Sequence, residues 1–251
     1  MNKNIWCLLF VGVGLWMHTG TVFAEGIGIP GINLDFTTSD DPQSIAASLQ
    51  IILLLTVLSL APAILILMTC FTRIIVVLSF VRNALSIQQM PPNQVLIGLA
   101  LFMTLFVMTP TLTQVNEKAL QPYLAGQVTQ SQAFEQAAIP FKHFMAKQTR
   151  EKDLMLFIEY RKSPIPKSVE EIPLSTLVPA YAISELKTAF QIGFMIFIPF
   201  LIIDLVVSTT LMSMGMMMLP PVMISLPFKI LLFVMVDGWY LIVKSLLQGY
   251  Q

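Results

Sequence analysis

The chain has 251 residues, of which 56% are hydrophobic and only 11% are charged. Soluble proteins carry roughly 25% charged residues, so this composition excludes both an ordinary water-soluble domain and an intrinsically disordered chain. Fourteen basic and fourteen acidic residues give a net charge of zero, which offers no basis for binding nucleic acid. The sequence therefore predicts a chain that is surrounded largely by lipid or by other protein.

The first predicted element is a cleaved secretory signal peptide over residues 1–24. Lys3 supplies a positive start, and the apolar stretch Ile5–Trp16 is shorter than the roughly 20 residues of a membrane span. Val22, Phe23 and Ala24 then give the cleavage pattern, with cleavage expected after Ala24. A retained N-terminal anchor is the alternative interpretation.

A flexible N-terminal arm and a first hydrophobic helical hairpin follow. Residues 25–44 are rich in Gly, Pro, Asp, Ser and Thr, which is typical of a loop. Residues 45–116 contain two uncharged segments, each long enough to cross a membrane. Arg73 and Arg82 fall between these segments, in a predicted loop that the positive-inside rule places on the cytoplasmic side. The plainer interpretation is an ordinary loop with arginines that reach toward water.

Residues 117–187 differ in composition, because they carry charges of both signs and must be solvated. Given the predicted topology, this region is extracytoplasmic. Apolar residues recur in it at helical spacing, which predicts an amphipathic helical hairpin that packs on itself or on a sister subunit. His143 has no Cys, Asp or second His at a metal-ligand spacing, so the sequence predicts no metal site.

Residues 188–251 predict a second hydrophobic hairpin with a Met-rich loop. Prolines interrupt both hydrophobic hairpins, and each one removes a helical hydrogen bond and kinks the helix. Freed carbonyls in hydrocarbon need partners from neighbouring helices, side chains or water, which favours helices packed in an assembly or lining a cavity. The prolines that interrupt the hairpins are Pro62, Pro91, Pro92, Pro110, Pro199, Pro220, Pro221 and Pro227.

The predicted fold class is an all-α membrane protein: two kinked hydrophobic hairpins plus an extracytoplasmic amphipathic helical segment.

Asp204, Lys229 and Asp237 lie in apolar surroundings, where charges are costly and normally find partners. Asp204 and Lys229 are the natural ion pair, within one chain or between chains, and Asp237 is a further candidate buried charge. A buried pair that fixes subunit docking is favoured over a proton relay, because a relay needs a series of titratable groups. An aspartyl protease dyad of Asp204 and Asp237 lacks the Gly-x-Gly-Asp pattern. The sequence predicts no enzyme activity and no cofactor.

Met216, Met217 and Met218 follow Gly215 and precede a Pro-Pro pair, a pattern that marks a turn. Methionine side chains are unbranched and adapt to variable neighbours. A ring of such turns would form a deformable apolar seal against water and ions. The alternative is that these residues fill an ordinary apolar core.

Several long strings of this sequence resemble the FliP flagellar biosynthetic family, and together they extend over nearly all of the expected mature chain. Ser86 stands where this family often has glycine. The strings are Arg73–Leu85, Gln89–Leu96, Glu185–Phe194, Ile198–Asp204, Met212–Lys229 and Val236–Trp239.

The resemblance implies a core subunit of a type III secretion export gate, flagellar or virulence-associated. About five copies would assemble as a helical oligomeric pore with FliQ-type and FliR-type subunits and the FlhB-type gate protein, and would pass unfolded flagellar proteins. The complex would sit in the bacterial inner membrane within the flagellar basal body, largely on the periplasmic side.

The resemblance also assigns roles to particular residues. It implies that Met216, Met217 and Met218 form a gasket that closes the pore, and that Glu185, Asp204 and Lys229 take part in contacts between subunits. A small-solute or proton channel or transporter subunit is the remaining alternative, and it differs from the export gate in oligomeric state and in what passes through it.

Overall fold

A computed structural model describes residues 42–87, 90–216 and 219–250 of the chain. The expected signal peptide and nearly all of the expected arm lie outside these ranges. The described residues form nine α-helices and contain no strand, which confirms the all-α fold class. The helices are α1 (Pro42–Leu67), α2 (Phe71–Ala84), α3 (Asn93–Val115), α4 (Gln121–Leu124), α5 (Gln130–Gln148), α6 (Glu151–Tyr160), α7 (Leu174–Ser213), α8 (Pro221–Met235) and α9 (Gly238–Gln248), and a π-helical turn, Asn116–Leu120, joins α3 to α4.

The chain divides into two compact units, residues 1–58 and residues 59–251. In the first unit the structure describes residues 42–58, which form the N-terminal part of α1. Most of the described side chains there are apolar and exposed, including Leu53, which is 66% exposed. A helix with apolar residues all around its surface needs lipid or protein as its surroundings. The second unit contains both hydrophobic cores described below.

The main core of the second unit forms where α2 packs against α7. Gly193 of α7 permits this close approach, because a Cβ atom at that position would lie 2.5 Å from the ring of Phe80 on α2. The same ring makes an edge-to-face contact with Phe190, with centroids 5.3 Å apart. The buried side of α2 follows helical spacing and consists of Ile74, Val77, Leu78 and Val81.

The predicted amphipathic hairpin is formed by α5 and α6. Thr129 and Gln132 make a reciprocal capping box that begins α5. The apolar side of the hairpin packs on α7 of the same chain: Met145 is fully buried against Tyr181 and Leu177 in a second, smaller core. The hairpin therefore has its apolar partner within its own chain.

In the described ranges, α3 through α4 (residues 93–124) and α7 are long and apolar enough to cross a membrane. Helices α8 and α9 would count as a third span if taken together, although they are bent by 61° at their junction. The expected boundary between residues 187 and 188 falls inside α7. Charged residues near that point do not end the helix, because Glu185 is buried on its inner side.

Candidate functional site

Asp204 of α7 and Lys229 of α8 meet within one chain. Lys229 is only 1% exposed, and its Nζ donates a hydrogen bond of 2.6 Å to Asp204 Oδ2. The other carboxylate oxygen of Asp204 accepts a bond of 2.6 Å from the hydroxyl of Ser225. These contacts neutralise the buried ammonium of Lys229 and give both oxygens of the half-buried Asp204 a hydrogen-bond donor. A charge taken out of water needs such partners.

Lys229 has a second partner outside the hairpin. Its Nζ donates a 2.7 Å hydrogen bond to the hydroxyl of Ser86, which follows the C-terminal end of α2. Ser86 has a φ of 60°, a left-handed conformation that favours glycine over residues with a Cβ atom. This conformation agrees with the glycine that the family resemblance led us to expect there, and the serine that this chain has instead supplies Lys229 with an acceptor.

The prediction that Arg73 and Arg82 occupy a loop is wrong, because both lie on α2. Arg73 is 3% exposed and forms a buried ion pair with Glu185 of α7. Arg82 is half-buried near the end of α2 and hydrogen-bonds the side chain of Asn93 at the start of α3. The two arginines flank an apolar stretch whose buried side packs on α7, so the charges mark the ends of a packed helix and not a solvated turn.

The Arg73–Glu185 ion pair contacts the C-terminal end of the chain. Glu185 Oε2 accepts a hydrogen bond of 2.6 Å from the Tyr250 hydroxyl. The guanidinium of Arg73 lies 4.1 Å from the centroid of the Tyr250 ring and donates to Gln148 Oε1 at 3.1 Å and to the carbonyl of Gly249 at 3.4 Å. Four parts of the chain therefore converge on one buried ion pair.

A second polar network lies beside this pair. Asp153 of α6 accepts a 2.6 Å hydrogen bond from Ser184 of α7, and the guanidinium of Arg150 lies 2.5 Å from the same oxygen. Burial alone would raise the pKa of Asp153, but the hydrogen bonds from Ser184 and Arg150 outweigh it and hold that pKa below its usual value. The network ties the α5–α6 hairpin to α7.

Sequence reasoning did not identify Tyr250, Gln148, Ser184 or Asp153 as members of these networks. Arg73 and Glu185 are 112 positions apart in the chain, and no local pattern links them. One signal was present: Arg73 is followed directly by five apolar residues, Ile74–Leu78. A lone cation at the start of such a run needs a buried acidic partner if the run packs.

The Met-rich turn lies between the end of α7 and the start of α8. Gly215 has a φ of 74°, which a side chain would strain, and a Cβ atom there would have no neighbour within 4 Å. Met214 and Met216 are 68% and 40% exposed. Met217 and Met218 lie outside the described residues, and the gasket remains a prediction.

The prediction of a buried charge at Asp237 is wrong for the single chain, because this residue is exposed there. Asp237 lies at the bend between α8 and α9 with a φ of 51°, and its side chain does not cap α9. Its neighbour Gly238 takes the buried position, where a Cβ atom would come within 2.4 Å of the Phe233 ring. The left-handed backbone at the bend thus turns the aspartate outward.

His143 contacts Glu170 at the surface of the protein. Its Nε2 lies 2.7 Å from Glu170 Oε1, and both side chains are about half exposed. Within the described ranges no group of three or more His, Cys, Asp or Glu side chains could hold a metal ion.

Apolar helices of membrane-crossing length, with ion pairs buried between them, define an all-α membrane protein. Residues 54–246 match the FliP family. The chain belongs to this family.

Proteins of several bacteria match most of the chain. A protein of Bacillus subtilis (strain 168) is 64% identical over 217 residues, which cover 86% of this chain and 98% of that protein. One of Pectobacterium carotovorum is 50% identical over 240 residues, 96% of this chain and 92% of its own length. One of Aquifex aeolicus (strain VF5) is 46% identical over 239 residues, 94% and 97% of the two chains. Each is named flagellar biosynthetic protein FliP.

Proposed function

We propose that this chain is a pore-forming core subunit of the flagellar type III protein export gate, required for secretion of flagellar proteins and for flagellum assembly. The observation that carries the proposal is family membership over residues 54–246, with relatives named flagellar biosynthetic proteins that align over nearly their full length. The function is passage of unfolded chains, and the subunit itself catalyses no reaction.

The proposed assembly contains about five copies of the chain, with FliQ-type, FliR-type and FlhB-type proteins as neighbours. Large apolar side chains on the outer surfaces of the helices support packing against other chains. On α3, Phe102 and Phe106 are 75% and 70% exposed, one helical turn apart. The complex belongs to the inner membrane within the basal body, largely on its periplasmic side, with residues 117–187 extracytoplasmic.

Met216, Met217 and Met218 act in this proposal as the gasket of the pore. The left-handed Gly215 supports a turn that ends α7 just before them. Thioether side chains are flexible and apolar, so a ring of them can exclude ions and still yield to a passing polypeptide. The closed state then depends on side-chain packing and needs no movement of whole helices.

The buried ion pairs set the shape of each subunit in this proposal. Lys229 is held by Asp204 and Ser86 across two elements, and Glu185 is held by Arg73 and Tyr250. Losing one partner would leave the other charge buried and alone, at a cost of about 3–5 kcal/mol. These residues would then affect subunit contacts by fixing the surfaces that neighbours meet.

The test is complementation of a Bacillus subtilis strain that lacks its own FliP-family gene. Expression of this chain should restore motility and secretion of flagellar proteins into the medium. The triple variant M216A/M217A/M218A should still assemble and secrete but should leak ions, measured as membrane depolarisation. A matched control replaces three exposed methionines elsewhere, Met90, Met195 and Met223, and should not leak.

Two results would contradict the proposal. Failure of the expressed and membrane-inserted chain to restore secretion would argue against an export subunit. A purified single copy that conducts small ions after reconstitution would favour a channel or transporter instead. Equal permeability of the gasket variant and the methionine control would reject the gasket alone.

A further inference from the structure

The last part of the chain contains two acids and two bases. Residues 188–251 have four charged side chains in all: Asp204, Lys229, Asp237 and Lys244. The first acid and base pair within the chain. Asp237 and Lys244 are both exposed, and the described residues give neither of them an ion-pair partner. The Nζ of Lys244 lies 5.8 Å from the centroid of the Tyr240 ring.

The second acid and base cannot pair with each other inside one chain. Asp237 directly precedes α9, and Lys244 lies seven residues later on that helix. With a rise of 1.5 Å per residue, the two positions are about 10 Å apart along the axis. Seven residues are close to two full turns, so both positions belong to the same side of the helix. This side has an acid at one end and a base at the other.

The surroundings of Asp237 are apolar and open. Val234 and Met235, at the end of α8, are 70% and 78% exposed, and Tyr240 and Leu241 on α9 are 58% and 47% exposed. Helices α8 and α9 together have the length and composition of a membrane span, and Asp237 lies at their bend. A carboxylate in such a place is costly unless a cation meets it. The missing partner must supply both a positive charge and apolar surface.

We propose that this bend is a contact between copies of the chain, in which Asp237 of one copy pairs with Lys244 of the next. Each copy supplies one acid and one base from the same exposed side, so the contact repeats head to tail and neutralises one acid and one base at each junction between neighbouring copies. The inference rests on the proposed function only in requiring several copies in one assembly.

The bend angle suits such a contact. Because α9 is turned by 61° from α8, most of the separation between Asp237 and Lys244 runs across the direction of α8. A neighbour placed beside α8 can therefore bring its lysine to the aspartate. Leu241, between the two charges, and Met235, before the bend, would be covered by the same contact.

Charge reversal tests the pairing in the assembled complex. D237K and K244D should each lower the oligomeric fraction in native gels of the membrane extract by about tenfold or more, as expected when one partner of an interfacial charge pair is replaced. The double variant D237K/K244D should restore it. The control E117K/K118E reverses two exposed neighbouring charges and should assemble normally.

Crosslinking gives a second readout that does not depend on the reversed charges. In a chain without Cys7 and Cys70, the pair D237C/K244C treated with a short bismaleimide should produce a ladder of multimers. Either single cysteine should leave the chain monomeric, because position 237 of one copy faces position 244 of the next and not its own equivalent. The crosslinked bands should contain this chain alone by mass spectrometry.

The outcomes separate the pairing from the function. Wild-type assembly in both single reversals, or a crosslink to a different protein, would overturn the pairing while secretion by the wild-type chain upheld the proposed function. Loss of assembly in the double reversal, together with no ladder, would also overturn the pairing. A wild-type chain that stays monomeric in its native membrane would overturn both.

Discussion

Tyr250 donates its hydroxyl to the oxygen of Glu185 that does not pair with Arg73, at a distance of 2.6 Å. The bond joins Tyr250, near the C-terminal end of the chain, to the N-terminal third of α7, across 65 positions. Phe144 of α5 stacks on the Tyr250 ring with centroids 6.1 Å apart. The same ion pair that holds α2 against α7 therefore also fixes the end of α9 and the α5–α6 hairpin.

Replacing Tyr250 by phenylalanine should destabilise the fold by about 1.5–3 kcal/mol, the usual worth of a hydrogen bond to a charged group. The variant keeps the ring against Arg73 and Phe144 but leaves one oxygen of Glu185 without its donor. The free energy of unfolding of the detergent-solubilised protein, measured by denaturant titration, checks this value.

Tyr181 provides the matched control. It is fully buried, and its hydroxyl has no hydrogen-bond partner among the described residues. The variant Y181F should be neutral or slightly stabilising, because it removes a polar group that gains nothing from burial. Equal losses in Y181F and Y250F would show that the two hydroxyls are not distinguished by their partners.

Gly193→Ala should loosen the packing of α2 on α7. The added methyl group would lie 2.5 Å from the Phe80 ring and 3.0 Å from its Cβ atom, so the aromatic side chain or a helix must shift. Overpacking of this kind costs about 1–3 kcal/mol. The loss should appear in the free energy of unfolding, and F80L in the same chain should recover part of it.

Gly98→Ala on α3 is the comparison for that substitution. A Cβ atom there has no neighbour within 4 Å, and alanine favours a helix over glycine by about 0.5–1 kcal/mol. This variant should be neutral or more stable. A loss in G98A as large as that in G193A would reject close packing as the cause.

Asp153 should make stability depend on pH. Its folded-state pKa is held below its ordinary value, so its contribution is complete above about pH 4 and is lost as pH falls through the lower folded-state pKa. D153N should therefore be less stable than the wild type at neutral pH, and the difference should shrink in acid. Melting temperatures from pH 7 downward check this, with exposed Glu159→Gln as a control that shows no such convergence.

The helices and one ion pair could be predicted from the sequence because residue spacing and charge position within short segments indicate them. The spacing of Phe141 and Met145 indicates the apolar side of α5, and two opposite charges in a single hydrophobic hairpin suggest the Asp204–Lys229 pair. Periodicity shows which side of a helix is buried but not which element covers it. The ion-pair partner of Arg73 therefore could not be predicted from the sequence.

One boundary and one exposed side chain could not be predicted from the sequence for a related reason. Composition placed a division near residue 187, but a buried, paired Glu185 does not interrupt α7. Asp237 looked buried because its neighbours are apolar, and only the left-handed backbone at the bend turns it outward. In both places the outcome depends on backbone geometry and on contacts between distant residues, which no local pattern encodes.

Ser86 combines a strained backbone with a useful hydroxyl, and its variants should separate the two effects. Ser86→Ala keeps the φ of 60° and loses the 2.7 Å bond from Lys229, so it should lose about 1.5–3 kcal/mol of stability. Ser86→Gly loses the same bond but removes a left-handed strain of about 1–2 kcal/mol, so it should fall between alanine and serine. Denaturant titration of the three proteins gives the order. Alanine as stable as serine would show that Lys229 needs only Asp204, and glycine less stable than alanine would show that the backbone there is not strained.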